Sequence, residues 1–261
     1  MRNLDDVALL SPLRYKNTTL KLLLVLFALI AGLLADSPVL PAFVMFCMIS
    51  ATLLFGKIPV GTYFKLFISV LGFVAASCVI LAFFAIGNGG GILLEIPVFG
   101  RSLTITEGSA NLAILVFARS LGGISSLFFL SMTTPMLELF SYFKRFSFLD
   151  IFTELTMLIY RYIFVFLGLL LNIQAAQKMR FGYRNYKTSI YSAGLLAGSL
   201  FILTLEQGDR LFLAMNSRCY DGKPVFYESK YKISPADLLI AAVFVSSVIA
   251  VFIYSRGIQV F

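Results

Sequence analysis

Long apolar segments are the feature that most constrains how this chain can fold. Four of them occupy residues 22–35, 39–55, 66–86 and 112–132, and a last one occupies 238–254. A helix needs about 20 apolar residues to cross a bilayer core of about 30 Å. Hydrophobic residues make up 59% of the 261 positions, more than one aqueous core can bury. The sequence therefore predicts an all-α membrane protein.

Short polar segments between the apolar ones predict how the chain turns. The sequence DSP at 36–38 separates the first two apolar segments, which predicts a helical hairpin instead of one long helix. Residues 92–106 end in the alternating sequence SLTIT, which follows Gly100 and Arg101. This pattern predicts a short β-hairpin outside the membrane.

Two further apolar segments, 155–173 and 190–205, lie in a region with 12 of the 21 basic residues. Basic residues near helix ends stay on the cytoplasmic side of a membrane. If both segments crossed, six basic residues would lie outside. If neither crosses, 18 lie inside, Arg119 lies within the membrane, and only Arg101 and Arg256 lie outside. We therefore expect about five membrane-spanning helices.

The prediction of five spans divides the chain into three parts. Residues 1–132 contain four membrane spans, residues 133–236 form a cytoplasmic or interfacial region of long helices, and residues 237–261 contain the last span. The N-terminus is then expected in the cytoplasm and the C-terminus outside the cell membrane. A helix over 149–181 would be about 50 Å long, more than a hydrocarbon core of about 30 Å accommodates upright. Its polar residues Glu154, Arg161 and Asn172 fall on one stripe.

A short helix is expected to begin at Thr134 and Pro135. Thr134 can cap it, proline is favoured at the first helical position, and Glu138 suits the first turn. A connector lying on the membrane and a partner-binding helix are both compatible with its apolar face.

Several function classes are excluded by residues that the sequence lacks. There is no His, and the three Cys are scattered, so no metal site, disulfide framework or Ser-His triad is expected. There is no Gly-x-x-x-x-Gly-Lys-Ser/Thr loop, so the chain is not expected to hydrolyse ATP or to need a cofactor. The net charge of +8 fits basic residues retained in the cytoplasm, and no nucleic-acid partner is expected.

Two similar segments, AAQKMRFGYR and FLAMNSRCYDG, contain the candidate functional residues. Each places a small residue four positions before an arginine, Ala176 before Arg180 and Ala214 before Arg218, with Gly182 following the first arginine. Positions four apart share a helix face. Each arginine could simply favour the negative end of its helix, with Gly182 terminating the first one. Two copies 38 residues apart instead suggest two equivalent docking points for a symmetric partner.

Three charged residues elsewhere in the chain are notable for their positions. Arg119 lies within the fourth apolar segment, where a charge is costly unless it is paired or faces a polar cavity. It marks either an intramembrane site or a link between helices. Glu206 and Arg210 are four residues apart and predict an ordinary pair on a helix surface.

A family resemblance rests on five segments: TTPMLELFSYFKR, LIYRYIFVF, AAQKMRFGYR, LAGSLF and AMNSRCYDG. Together they resemble the transmembrane coupling protein, or T component, of energy-coupling-factor transporters, and in particular the CbiQ family of cobalt and nickel uptake systems. The resemblance covers most of the chain and is densest between Arg119 and Gly222. It implies that Arg180 with Gly182, and Arg218, each insert into a groove on one of two ATP-binding-cassette subunits. In the family the second motif usually reads Arg-Gly, whereas Cys219 follows Arg218 here.

The resemblance implies a non-catalytic subunit that links ATP hydrolysis in partner subunits to a separate substrate-binding membrane protein, for cobalt or nickel uptake. A T component that serves a vitamin-binding subunit is the alternative within transport. From another class, a membrane-embedded enzyme acting on lipid would use Arg119, Arg161 and Glu154. Without His its acid and base groups would be few.

Overall fold

The computed structural model describes residues 4–84, 92–98, 101–143, 150–220 and 234–255. From the N-terminus come α1 (Leu4–Leu10), a 3-10 turn (Pro12–Tyr15), α2 (Thr18–Leu34) and α3 (Val39–Ser50), which continues as a π-helical turn (Ala51–Phe55). They are followed by α4 (Val60–Phe84), β1 (Ile92–Val98), β2 (Arg101–Thr106), α5 (Glu107–Thr133) and α6 (Met136–Phe143). The last three helices are α7 (Asp150–Met179), α8 (Tyr186–Asn216) and α9 (Pro235–Ser255). The predicted helical fold class is confirmed.

The chain forms two compact units. Unit 1 comprises Met1–Leu139 and Ser229–Phe261, and unit 2 comprises Phe140–Glu228. The chain therefore passes between them twice, after Leu139 and after Glu228. The functional division at residues 132 and 236 stays a prediction.

Five helices of the described ranges are long and apolar enough to cross a membrane: Val60–Phe83, Glu107–Thr133, Ile151–Met179, Tyr186–Asn216 and Pro235–Ser255. The number agrees with the prediction, but the set differs. Thr18–Leu34 and Val39–Phe55, expected to span, are shorter apolar helices, whereas α7 and α8, placed outside by their flanking charges, also meet the length and hydropathy requirement. The location of α7 and α8 outside the membrane stays a prediction.

Unit 1 is organised around α5, which packs against α2, α3 and α4. Thr106 and Ser109 form a reciprocal capping box that fixes where α5 begins. Gly122 lies in its middle, where an added Cβ would come within 2.8 Å of the Pro41 carbonyl oxygen. This close approach of α5 to α3 requires glycine. One apolar cluster includes Leu40 and Phe129.

The predicted β-hairpin is confirmed. β1 and β2 pair antiparallel, with Val98 opposite Arg101 and Pro97 opposite Ser102. The hairpin directly precedes α5 and so connects α4 to the central helix of unit 1.

Unit 2 is dominated by α7 and α8, which contain 30 and 31 residues. The expected long helix over 149–181 is present as one element, α7. Three side-chain hydrogen bonds hold the corner between the helices: Gln177 Nε2 donates to the Ser192 carbonyl (2.9 Å), Ser192 Oγ donates to the Gly182 carbonyl (2.8 Å), and Tyr183 donates to Gln177 Oε1 (2.7 Å). Away from this corner both helices expose large apolar side chains, including Leu171 and Phe201.

Candidate functional site

The first arginine motif forms the C-terminus of α7. Two backbone hydrogen bonds close it: the Gly182 N–H donates to the Gln177 carbonyl at 2.9 Å, and the Phe181 N–H donates to the Lys178 carbonyl at 3.1 Å. These are the two bonds of a Schellman cap. Arg180 occupies the capping position itself, directly after the last helical residue.

The second arginine motif has the same backbone geometry at the C-terminus of α8. The Tyr220 N–H donates to the Met215 carbonyl, and the Cys219 N–H donates to the Asn216 carbonyl, both at 3.1 Å. Here Ser217 is the capping residue of α8 and Arg218 follows it, directly before Cys219 as Arg180 is directly before Phe181. The likeness of the two sequences is therefore matched by two equivalent helix ends.

In each motif the residue after the arginine is left-handed. Phe181 has φ 56° and Cys219 has φ 57°, a conformation usually filled by glycine. The sequence suggested that Gly182 ends α7. In the structure the left-handed residue at this end is Phe181 instead. Gly182 follows it, where a Cβ would come within 2.7 Å of Ser192 Oγ. Cys219 adopts the conformation that glycine would favour, so its presence after Arg218 leaves the backbone of the cap intact.

Both arginine tips are accessible. Arg180, Arg218, Ala176 and Ala214 are all exposed. Within the described ranges neither guanidinium forms an ion pair or a hydrogen bond. Large apolar side chains are exposed near each arginine in sequence: Met179 and Phe181 on either side of Arg180, and Phe212 and Leu213 in the last turns of α8 before Arg218. Each helix end therefore presents an exposed cation with exposed apolar side chains close by in sequence.

The two tips are separate contact points and do not form one site. Arg180 precedes the start of α8, and Arg218 follows its end. A helix of 31 residues is about 46 Å long. The structure thus holds two like tips near opposite ends of one long helix.

Arg119 connects two helices of unit 1. Its Nη2 donates a 2.5 Å hydrogen bond to the carbonyl of Ala35, the residue that caps the C-terminus of α2. A cation at this position favours the negative end of the α2 dipole. Of the two roles considered for Arg119, the contact supports the link between helices. Its Nε is buried and without a hydrogen-bond partner in the described part of the chain.

Glu206 and Arg210 form the expected surface pair on α8. Their side chains are 3.6 Å apart and both are exposed. Such pairs stabilise a helix by about 0.3–0.5 kcal/mol. This pair is therefore expected to affect only the stability of α8, and by a small amount.

A polar cluster that sequence reasoning missed joins the N-terminal segment to α6 and α9. We call it the N-terminal clamp and define it as Arg14, Lys16, Thr18, Glu138 and Asp237. Thr18 Oγ1 donates to Glu138 Oε2 at 3.1 Å, Arg14 Nε lies 3.8 Å from Glu138 Oε1, and Lys16 forms an ion pair with Asp237. Its partners are 120 to 221 residues apart, so no local sequence pattern marks them.

The surroundings of the clamp are largely apolar. Burial raises the pKa of the Glu138 carboxyl, opposed by the Thr18 hydrogen bond and the nearby Lys21 and Arg14 charges. Lys21 is 3% exposed, and its Nζ donates to the Thr133 carbonyl at 3.1 Å. A cavity of about 170 Å³ adjoins Lys16 and Asp237 and is otherwise lined mainly by apolar side chains of α2, α3 and α9.

No group of three or more Cys, Asp or Glu side chains suited to a metal ion occurs among the described residues. Cys47, Cys78 and Cys219 are all free thiols. The expectation that this chain does not itself hold a metal stays a prediction.

A family model described as cobalt transport protein, CbiQ, matches residues 10–228 and so includes both arginine tips. This chain belongs to the CbiQ family of cobalt transport proteins. It is accordingly a multi-pass membrane component of a transport family, as the five apolar helices also indicate. The family resemblance noted from the five sequence segments is confirmed.

Curated relatives agree with this assignment. The chain is 39% identical over 244 residues to a putative fused cobalt transport protein, CbiMQ, of Methanocorpusculum labreanum. This match covers 93% of the present chain and 40% of the relative. It is 38% identical over 220 residues to the uncharacterized protein MJ1089 of Methanocaldococcus jannaschii, covering 84% of this chain and 81% of the relative. It is 30% identical over 131 residues to the cobalt transport protein CbiQ of Salmonella typhimurium, covering 50% of this chain and 58% of the relative. The chain thus spans less than half of the fused relative.

Proposed function

We propose that this chain is the coupling subunit of an energy-coupling-factor transporter for cobalt or nickel. In this role it links ATP hydrolysis by two ATP-binding-cassette subunits to a substrate-binding membrane subunit. The observation that carries the proposal is the pair of equivalent arginine tips at the ends of α7 and α8. The chain itself catalyses no reaction in this scheme.

The chemistry of the tips suits docking into a groove with carboxylates at its base. Each guanidinium is exposed and can form two parallel hydrogen bonds with a carboxylate. The exposed Met179 and Phe181, and at the other tip Phe212 and Leu213, can be buried against the walls of the groove. Equivalent tips at separate positions fit two copies of one kind of partner, as in a symmetric pair of ATPases.

Co-purification tests the proposal directly. The chain, expressed with its natural neighbours, is tagged and purified in mild detergent, and the bound subunits are identified by mass spectrometry. Two ATPase copies and a small membrane protein are expected. Recovery of the chain alone would contradict the proposal and favour the lipid enzyme. Uptake of labelled Co²⁺, Ni²⁺ and vitamins by the recovered complex distinguishes a metal transporter from one that serves a vitamin-binding subunit.

For the tips to reach the ATPases, the corner between α7 and α8 has to be cytoplasmic. The distribution of 18 basic residues inside against 2 outside supports this orientation, with the N-terminus inside and the C-terminus outside.

A single cysteine at Lys178, in a chain lacking Cys47, Cys78 and Cys219, tests the orientation. Lys178 is exposed in the last turn of α7, so a thiol there is accessible on whichever side it faces. We expect labelling only by reagents that enter the cytoplasm. A cysteine at Arg101, in the hairpin expected outside, is the matched control for impermeant reagents. Labelling of the Lys178 variant by an impermeant reagent in intact cells would refute the cytoplasmic location.

The isolated chain is expected to bind neither Co²⁺ nor Ni²⁺ specifically. It has no His, and its three Cys belong to α3, to α4 and to the end of α8, so they offer no convergent ligand set. Calorimetric titration of the purified subunit with each ion measures this. A stoichiometric site of micromolar or tighter affinity would show that the chain itself holds the metal.

A further inference from the structure

The N-terminal clamp lies at both connections between the two units. Glu138 stands two residues before Phe140, where the chain enters unit 2. Asp237 lies in the first turn of α9, eight residues after Ser229, where the chain returns to unit 1. Glu138 and Asp237 are therefore the clamp residues nearest in sequence to the two points where the chain passes between the units.

One short segment contacts both connections. Arg14 and Thr18 approach the two carboxylate oxygens of Glu138, while Lys16, between them in sequence, pairs with Asp237. The segment is itself rigidly shaped. Ser11 caps the 3-10 turn by accepting from the Leu13 N–H, and Asn17 caps α2 by accepting from the Thr19 N–H. The clamp cations are therefore held on capped backbone directly at the start of α2.

The acidic partners are largely shielded from water. The side chain of Glu138 is 15% exposed and that of Asp237 is 11% exposed. The adjoining cavity is mainly apolar, so solvent screens these charges less than it screens an ordinary surface pair. The cations are more open to solvent, with the side chain of Arg14 37% exposed and that of Lys16 45% exposed, so a reversed charge acts mainly through the shielded carboxylates.

We propose that the N-terminal clamp positions α6 and α9 relative to α2 and so transmits movement of the coupling helices to the membrane-spanning part of unit 1. Arg14, Lys16, Glu138 and Asp237 are positioning residues in this scheme and touch neither ATP nor substrate. The proposal rests on the proposed coupling function. It adds that coupling depends on a polar link far in sequence from the arginine tips.

The test uses the complete transporter reconstituted in proteoliposomes, with Co²⁺ uptake and ATP hydrolysis measured together. The variants are Lys16→Glu, Asp237→Lys and the double swap of both. Each single reversal should lower the amount of Co²⁺ taken up per ATP hydrolysed by about fivefold or more, since contacting pairs couple strongly. The ATPases should remain bound, because Arg180 and Arg218 are intact. The double swap should restore coupling, because it restores an ion pair.

Lys57→Glu is the control for charge reversal. Lys57 is an exposed residue between α3 and α4, and it forms no ion pair within the described ranges. It is predicted on the same side of the membrane as Lys16. We expect its uptake per ATP to equal that of the unaltered chain. An equal defect in Lys57→Glu would show that net charge, and not the clamp, causes the loss.

If the reversed variants fail to accumulate, the neutral variants Lys16→Gln and Asp237→Asn replace them. Each should reduce uptake per ATP, and combining them should cost no more than either alone, because both remove one interaction. Three results would overturn the clamp. They are normal uptake per ATP in the single variants, additive losses in the neutral double variant, and a double swap that is as defective as the two single reversals. Absence of ATPases from the unaltered complex would instead overturn the proposed function.

Discussion

Reversing the charge at the arginine tips is expected to abolish coupling in two stages. Arg180→Glu or Arg218→Glu should each lower uptake strongly, because both ATPases must act in concert, and the double variant should also release the ATPases from the membrane. A charge-assisted hydrogen bond contributes about 1.5–3 kcal/mol, and repulsion from the new carboxylate adds to its loss. Each contact should therefore weaken by roughly tenfold or more. Uptake and ATPase co-purification are measured on the singles and the pair.

Arg184→Glu is the matched control for these variants. Arg184 is exposed, lies four residues after Arg180 in the same corner, and is not at the capping position. An arginine that served only its helix end would contribute at most about 1 kcal/mol, and its reversal would leave assembly intact. Normal uptake in both single variants, or an equal defect in Arg184→Glu, would reduce the tips to ordinary helix ends.

The features that were predicted from the sequence are those that depend on neighbouring residues. The single long α7 follows from continuous apolar periodicity without an interior Pro, and the hairpin before α5 follows from alternation near Gly100. The arginine tips were recognised because a helix C-terminus has a local signature. Even there the exact residue differed: Phe181, not Gly182, is left-handed. The bond from Gly182 to Gln177 closes the cap, and it overrides the preference of Phe181 against a positive φ.

The features that sequence patterns missed depend on distant residues. Arg119 is unusual within an apolar segment, but its partner, the Ala35 carbonyl, is 84 residues away and has no side-chain signature. Of the clamp residues, only Glu138 has a local signature, as an acidic residue in the first turn of a short helix. Its contacts with Thr18 and Arg14 exist because α2 and α6 meet in three dimensions. The helix and turn propensities of neighbouring residues do not indicate which distant residues come into contact.

The largest expected effect on stability comes from Gly122→Ala at the crossing of α5 and α3. The new Cβ would lie 2.8 Å from the Pro41 carbonyl oxygen and 3.5 Å from its Cα, both backbone atoms of a helix that cannot rotate away. Overpacking of this kind costs about 1–3 kcal/mol. It outweighs the gain of roughly 1 kcal/mol that alanine brings to a helix interior. Gly122→Ala should therefore push α3 away from α5. The variant in detergent is expected to unfold at a lower midpoint temperature than the unaltered chain.

Gly123→Ala provides the comparison one residue further along α5. Its Cβ would meet only Leu29 Cδ2 at 3.6 Å, an ordinary contact with the end of a flexible side chain. Only the helix-propensity gain then remains, and the midpoint should stay unchanged or rise. Because the two substitutions are identical in chemistry and adjacent in sequence, any difference between them measures the crossing itself. Equal midpoints for both variants would mean that α3 and α5 do not approach as closely as Gly122 and Pro41 indicate.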